Sequence, residues 1–481
     1  MRVHLIGVCG TGMASLAGLL RAAGHDVTGS DTAFHPPMGD ALRRWGVHTM
    51  EGFRAEHVAD RPDLVVVGNV CRRDNPEARA AIDGGIPYDS FPGTMERLFL
   101  VDRTSLVVAG THGKTTTTAL LAFLLHATGR DPGFLVGGVP VDFDHSFRLG
   151  GAQTPFVIEG DEYDSAFFEK SPKLWRYRPW GAVITSIEHD HVDIYPDAAS
   201  YRSAFEGFVE RIPEDGILVA FAGDPEVRRV VSRARCRVRW YALDGDDCGD
   251  VTPVWLAAPV ALSGGMTPFD LFVGGSSLGR VLSPLSGAHN IRNAVAAIGL
   301  ACESTEAPVS EVVAALVRFR GVRRRQEQIG EADGVRVYDD FAHHPTAVRE
   351  TLAGLRARHP SGKLVAVFEP RSATASRRCH QQDYPDAFAS ADITLLAPVG
   401  RPEIPADEKL DVAAVVAALA GNGRIADTLP VPEIVSRVTA LAEPGDTVVV
   451  MSNGAFGGIH DALLVALARR RAERREAAPA R

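Results

Sequence analysis

The chain has 481 residues, 45% apolar and 23% charged, with a formal net charge of −9. That length exceeds what one hydrophobic core supports and predicts about three domains of a soluble globular protein, while the negative charge argues against nucleic acid or an anionic membrane as partner. No apolar run reaches membrane-spanning length, and the six cysteines (Cys9, Cys71, Cys236, Cys248, Cys302, Cys379) show neither metal-like nor paired spacing, as expected of reduced thiols in a cytoplasmic enzyme.

In chain order the sequence divides into three β/α blocks, 1–103, 104–319 and 320–468, followed by an Arg/Glu-rich tail, 469–481, expected to fray. The first block enters a strand at once (Val3–Val8), leaving no room for a signal peptide. Its first turn, Gly7-Val8-Cys9-Gly10-Thr11-Gly12-Met13, spaces glycines as GxxGxG rather than the dinucleotide GxGxxG. Asp31 closes the next strand, where a ribose-binding acid would sit. Two readings stay open: a diphosphate at the helix start, or glycines needed only for close strand–helix packing. The spacing favours a nucleotide sugar over NAD.

The second block opens with a buried strand, Ser105 to Val108, then Ala109-Gly110-Thr111-His112-Gly113-Lys114-Thr115-Thr116 and a helix predicted over Thr117 to Thr128. Strand, Gly-rich turn and helix form the setting of a phosphate-binding loop. Lys114 would reach the β/γ phosphates and the Thr115 hydroxyl would hold Mg²⁺. The match is imperfect, because Val108 stands where the usual pattern has its first glycine. Two acidic clusters, Glu159 to Asp164 and Glu188 to Asp193, follow predicted strands at Phe156–Ile158 and Ala182–Thr185. Carboxylates at strand C-terminal ends downstream of a phosphate loop suit Mg²⁺, and a neutral imidazole can complete such a site. Gly287 to Ala294 opens a helix, where Asn290 could cap and Asn293 lie on the surface, or His289 and Asn293 could face an adenine; the residues leave both open. In the third block, after the basic stretch Arg320 to Arg325, Tyr338-Asp339-Asp340-Phe341-Ala342-His343-His344-Pro345 again joins a strand to a helix. From residues alone, a non-catalytic nucleotide-binding module and an NAD-dependent oxidoreductase compete with an ATP-using enzyme.

These constellations, in this order over about 1–465, resemble the Mur ligase family, the ATP-dependent amide-forming enzymes of cell-wall precursor synthesis. The resemblance implies an α/β fold of three domains, each a mostly parallel sheet flanked by helices. These would be a Rossmann-like UDP-sugar-binding domain (1–103), a central P-loop ATP-binding domain (104–319) and a Rossmann-like peptide-binding domain (320–468). It also implies ATP and two Mg²⁺ ions. One branch adds L-alanine to UDP-N-acetylmuramate; another attaches the tripeptide L-alanyl-γ-D-glutamyl-meso-diaminopimelate to the same acceptor, through an acyl phosphate. The segments Glu162 to Lys170, Glu369-Pro370-Arg371-Ser372 and Met451 to His460 resemble the second branch. The alanine-adding branch usually has a His-Arg-Tyr-Ser-Arg-like string where Arg371-Ser372-Ala373-Thr374-Ala375 stands. Gly160 replaces a usual Ala and Ala455 a usual Gly, and neither change removes a reacting group.

By this resemblance Lys114, Glu159 and His191 are the catalytic residues, with Thr115, Glu159 and His191 holding metal. Gly110 to Thr116, His289, Asn293, Arg325 and Asp339 would contact ATP. Gly10, Gly12, Met13, Asp31 and Asn69 would lie by the UDP sugar, and Arg371 and Asn453 would receive peptide carboxylates. Three substrates on three blocks imply closure about hinges near 103–106 and 318–324.

Overall fold

The computed structural model describes residues 1–35, 38–261 and 265–477, and builds three sheets in succession. In the first, β1 (Arg2–Ile6), β2 (Asp26–Asp31), β3 (His48–Glu51), β4 (Leu64–Val67) and β5 (Tyr88–Ser90) run parallel in the order β3-β2-β1-β4-β5. The fully buried Leu-Val-Val-Val of β4 is what a strand covered on both faces requires.

The central sheet has ten strands. β6 (Ser105–Ala109) lies between β9 (Phe156–Gly160) and β12 (Gly181–Ile184), all parallel. One edge adds β7 (Gly133–Leu135) and antiparallel β8 (Phe147–Arg148). The other adds β13 (Ile217–Phe221), β14 (Arg237–Leu243) and β15 (Trp255–Pro259), then β16 (Thr267–Val273) and β17 (Ser276–Ser283) as an antiparallel flange. A small hairpin, β10 (Asp164–Ala166) with β11 (Glu169–Pro172), leaves the end of β9.

The third sheet contains β18 (Glu327–Ala332), β19 (Val335–Asp340), β20 (Leu364–Phe368), β21 (Ile393–Leu396), β22 (Ile425–Thr428) and β23 (Thr447–Met451). Its order is β18-β19-β23-β20-β21-β22, parallel except at β18. In each sheet the chemistry-bearing turn leaves the C-terminal end of an interior strand, β1, β6 or β19. That is the position where open α/β sheets form a ligand crevice.

Two elements differ from the sequence reading. The helix after the phosphate loop is Lys114–Ala127, starting three residues before Thr117. Four consecutive threonines disfavour helix by propensity. Here they are buried, and Thr118 Oγ1 bonds back to the Lys114 carbonyl at 2.8 Å, so packing overrides propensity. The final helix spans Ile459–Ala477 and continues into the tail. It is held there by Arg470, which donates to Asp333 at 2.7 Å and to the Ala442 carbonyl at 2.6 Å.

The two junctions between sheets are chemically unlike. One apolar cluster runs from Leu5, Leu16 and Leu20 of the first unit through Phe147 to Phe156, Tyr177 and Phe205 of the central one. Phe147 packs edge-on against Trp45, ring centroids 4.9 Å apart. It lies so close to the helix Thr11–Ala22 that a Cβ on Gly18 would sit 2.2 Å from its ring. The central and third units meet mainly through polar groups. Arg325 donates to Thr115 (2.9 Å), Thr346 to Glu188 (2.9 Å) and Thr374 to Asp190. Removing the buried Phe147 ring should therefore weaken the first junction. Phe147→Ala is expected to cost about 3 kcal/mol and to lower the melting temperature in a calorimetric scan; an unchanged melt would place the ring outside the load path.

Candidate active site at the meeting of three sheets

The turns after β1, β6 and β19 converge on a cavity of about 680 Å³. The first sheet contributes Gly10, Gly12, Met13 and Asn69, and the loop after β6 contributes Thr111 to Thr116. Glu159 and His191 line it from β9 and from the turn after β12, and His289, Asn293 and Arg325 line it on the side of the third sheet. Gly110 shapes the loop from behind, its carbonyl accepting from the Lys114 ammonium at 2.7 Å.

The loop is built for close approach. Gly113 has φ +81°, and a Cβ there would stand 2.4 Å from the Asn293 side-chain oxygen. Asn293 therefore sits against the phosphate loop. Its amide donates to Asn290 Oδ1 at 3.2 Å, and Asn290 donates to the Ser286 carbonyl at 2.8 Å. Neither residue caps the helix Ala288–Thr305, whose N-cap is Gly287. His289 lies between units, its Nδ1 3.4 Å from Glu350 Oε2.

The charges are balanced in a chain of contacts. Lys114 Nζ lies 3.0 Å from Glu162 Oε2. His191 Nε2 is 3.2 Å from the other Glu162 oxygen, which also accepts from Tyr201 at 3.0 Å. Burial would raise the Glu162 carboxyl, but Lys114 and His191 pull it down to about 2. Burial would likewise lower the Lys114 ammonium, and Glu162, Asp161 and Glu159 more than offset this, leaving it raised. His191 adopts φ +52°, an uncommon backbone conformation for histidine, and is raised against its burial by Glu162 and Asp190.

Thr115 and Glu159 form a second pair. The Thr115 hydroxyl donates to Glu159 Oε1 at 2.8 Å and accepts from Arg325 at 2.9 Å. Glu159 Oε2 accepts from the Gly137 amide at 2.6 Å. Burial and nearby Asp161 push this carboxyl up, the environment of an acid that lacks a full counter-charge. A hydroxyl and a carboxylate side by side beneath a phosphate loop are the hard oxygen donors that Mg²⁺ takes, so these residues fit the ion.

Several anticipated residues lie elsewhere. Asp31 accepts from the backbone amides of Cys9 and Thr32, each at 2.7 Å, anchoring the Gly-rich turn without lining the cavity. Asp339 points away from the cavity, toward Arg324 (3.2 Å) and His460 (3.1 Å). Its neighbour Asp340 lines the cavity instead, accepting from the Gln326 and Ala342 amides at 2.7 and 2.8 Å. Arg371 and Asn453 fall outside the cavity lining but beside each other, each just beyond the paired ends of β20 and β23. Glu162 and Asp340 stand within the acidic cluster and the βα turn read from sequence but have no role assigned there, and Lys173 is not among the sequence candidates. Lys173 stacks 4.1 Å from the Tyr163 ring centroid, and it lay in a segment with no motif around it.

Three family models match in succession: "Mur ligase family, catalytic domain" over 2–101, "Mur ligase middle domain" over 108–301, and "Mur ligase, glutamate ligase domain" over 324–454. The UDP-N-acetylmuramate--L-alanyl-gamma-D-glutamyl-meso-2,6-diaminoheptandioate ligase of Escherichia coli K12 is 38% identical, the match covering 98% of this chain and 99% of that one. A UDP-N-acetylmuramate--L-alanine ligase of Roseiflexus sp. RS-1 is 36% identical over 94% and 96% of the two chains. The crystal structure of a murein peptide ligase from Psychrobacter arcticus superposes with a TM-score of 0.72 at 36% identity, covering 97% and 99%. Among the described residues no helix is long and apolar enough to cross a membrane.

The titrating groups predict an acid-labile fold. Burial and nearby His112 push His344 down from 6.5 to about 3, so the native state keeps it neutral while the unfolded chain protonates it below 6.5. Between those values the unfolded state binds more protons, and stability is lost as the pH falls, by about 2 kcal/mol at pH 5. Glu162 and Glu188, both held at about 2, add a further loss below about 4.5, where the unfolded carboxylates take up protons. Melting temperatures in a pH series should fall from pH 7 to 5, and more steeply below; a flat profile from 7 to 5 would contradict the neutral His344.

Proposed function

The chain belongs to the Mur ligase family and is an ATP-dependent ligase forming a C–N bond, and from that premise we propose that it joins L-alanyl-γ-D-glutamyl-meso-diaminopimelate to UDP-N-acetylmuramate. The observation that carries the choice of amine is the end of the third sheet. There β20 and β23 finish side by side at Phe368 and Met451, and the loops that follow carry Arg371 and Asn453, with the string expected of alanine-adding relatives absent and Arg401 donating to the Arg371 carbonyl at 2.7 Å. An exposed guanidinium suits the carboxylates of a tripeptide. Full-length identity of 38% to a tripeptide ligase supports the same reading. The alternative, L-alanine as amine, is favoured by the 36% identity to an alanine-adding relative. The activity fits cell-wall recycling in the cytoplasm.

In this reading the sugar carboxylate attacks the γ-phosphorus of ATP and ADP leaves. The amine then attacks the acyl carbon, phosphate leaves, and the nitrogen gives up a proton. The first step drives two anions together, so catalysis is mainly charge neutralisation and positioning. Lys114 would leave Glu162 for the phosphates, and Arg325, already on Thr115, would face the transferred group. His289 and Asn293 would hold the adenine, with Asp340 in the place assigned from sequence to Asp339. Gly10, Gly12 and Met13 at the start of the first helix, with Asn69, would hold the UDP diphosphate. Mg²⁺ at Thr115 and Glu159, and a second ion at Glu159 and His191, would neutralise charge on the phosphates and the acyl oxygen. Backbone bonds from Arg323 to the Val139 carbonyl (2.9 Å) and from Val141 to the Gly321 carbonyl (3.0 Å) clamp 321–323 to the central unit. The hinge for closure therefore belongs beyond Arg323, where Arg324 and Gln326 have φ of 60° and 47°.

Phosphate release from ATP and UDP-N-acetylmuramate should require tripeptide and be negligible with L-alanine; the reverse pattern would assign the alanine-adding reaction. Lys114→Ala should lower turnover by at least about 100-fold with both co-substrates present, and parental turnover in that variant would remove the phosphate loop from the mechanism.

A further inference from the structure

A second cluster of donors lies on the same interface, apart from Thr115, Glu159 and His191. His112 of the phosphate loop, Glu188 after β12 and His344 after β19 each place a ligand atom within 4.8 Å of the others. We propose that these three residues form a site for a transition-metal ion of the Zn²⁺ class, and that the bound ion clamps the phosphate loop to the third sheet.

The donor set argues for that class. Two imidazoles and one carboxylate match Zn²⁺ or Co²⁺, whereas Mg²⁺ prefers oxygen alone. The spacing is close to what such an ion needs. His112 Nε2 is 2.8 Å and His344 Nδ1 3.8 Å from the same Glu188 oxygen. Donors around a tetrahedral ion at about 2.0–2.1 Å stand roughly 3.4 Å apart, so shifts of under about 1 Å would close the site. His112 and His344 both line the cavity, which leaves a fourth position open to it.

The surroundings hold the donors in the required form. His344 Nε2 faces His380 Nε2 at 3.1 Å, and His380 Nδ1 donates to Asp383 at 3.0 Å. This carboxylate–imidazole–imidazole chain places the His344 proton on Nε2 and turns its Nδ1 lone pair toward Glu188, the outer support that metal-binding histidines use. The free Glu188 oxygen accepts from Thr346 at 2.9 Å, fixing the carboxylate plane. Binding exchanges two hydrogen bonds for metal bonds: the 2.8 Å bond between His112 Nε2 and Glu188, and a 3.3 Å bond from the Thr346 amide to His344 Nδ1. Because two donors come from the central unit and one from the third, occupancy is linked to the closed arrangement of the two. The effect on turnover rests on the ligase reading; the metal site does not.

Titration of the full chain with Co²⁺, in excess Mg²⁺ and without nucleotide, tests the site directly. The expected result is one Co²⁺ per chain with the visible absorption of a four-coordinate ion. His344→Ala and Glu188→Gln should abolish it, and His380→Ala, outside the ligand set, should weaken it by about 10–100-fold. His191→Ala should leave it intact. No spectrum in the parent, or a spectrum that survives His344→Ala and disappears in His191→Ala, would overturn the assignment. With the site loaded, Zn²⁺ should slow parental phosphate release and leave His344→Ala at its own metal-free rate; unchanged parental release with the ion bound would overturn the clamp while leaving the ligase reading intact.

Discussion

An ammonium group meant to grip phosphate cannot be left bare inside a protein. Lys114 is mostly enclosed, its side chain 12% exposed, and its charge is met by Glu162, which also receives His191 and Tyr201. A buried ion is tolerated when it is paired and its hydrogen bonds are made, and removing one partner strands the other. This constraint sets the local structure. The loop after β6 curls so that the Gly110 carbonyl also accepts from Lys114, and β9 ends where Glu159 can reach Thr115. The resting site is therefore organised around its own internal counter-ion, and nucleotide binding becomes an exchange of one anion for another.

The two junctions divide labour in physical terms. The first unit is joined to the central one by a continuous apolar cluster in which Phe147 contacts Trp45 and the helix beside Gly18. Separating those surfaces would expose hydrocarbon to water, so the pair behaves as one body. The third unit is attached through hydroxyls, carboxylates and guanidinium groups that water can satisfy nearly as well. Movement of the third sheet over a fixed floor is the cheaper deformation, and it is the motion that would shield an acyl phosphate from hydrolysis.

Much of this was readable in the sequence because glycine and lysine at fixed offsets between an apolar strand and a helix have few other uses. The order of the sheets' leading strands, the phosphate loop and the Glu159 carboxylate at the end of β9 were all legible on that basis. What was not legible depends on direction in space. Asp339 and Asp340 are adjacent on a strand, so their side chains point to opposite faces, and composition cannot say which faces the crevice. Glu162 stood in the acidic cluster, but its pairing with Lys114 joins residues 48 positions apart and required the fold. Asp31 stands at a strand end where a ribose-binding acid would sit, but its carboxylate accepts from the Cys9 amide of the Gly-rich turn and from the amide of its own neighbour Thr32. In the antiparallel flange, β16 is interrupted by Pro268 and Asp270, and β17 is largely exposed and opens on two serines, so the pair carries no clean strand signature.

The internal pairing of Lys114 with Glu162 has a consequence for selectivity in a crowded cell. Free phosphate, sulfate and small organic acids all carry the charge that a phosphate loop attracts, yet here they meet a seat already filled by a carboxylate. A lone small anion gains little by displacing it. A nucleotide arriving with its own cation and an aromatic base spreads the cost of that displacement over many contacts, and so passes a filter that scavenging anions do not.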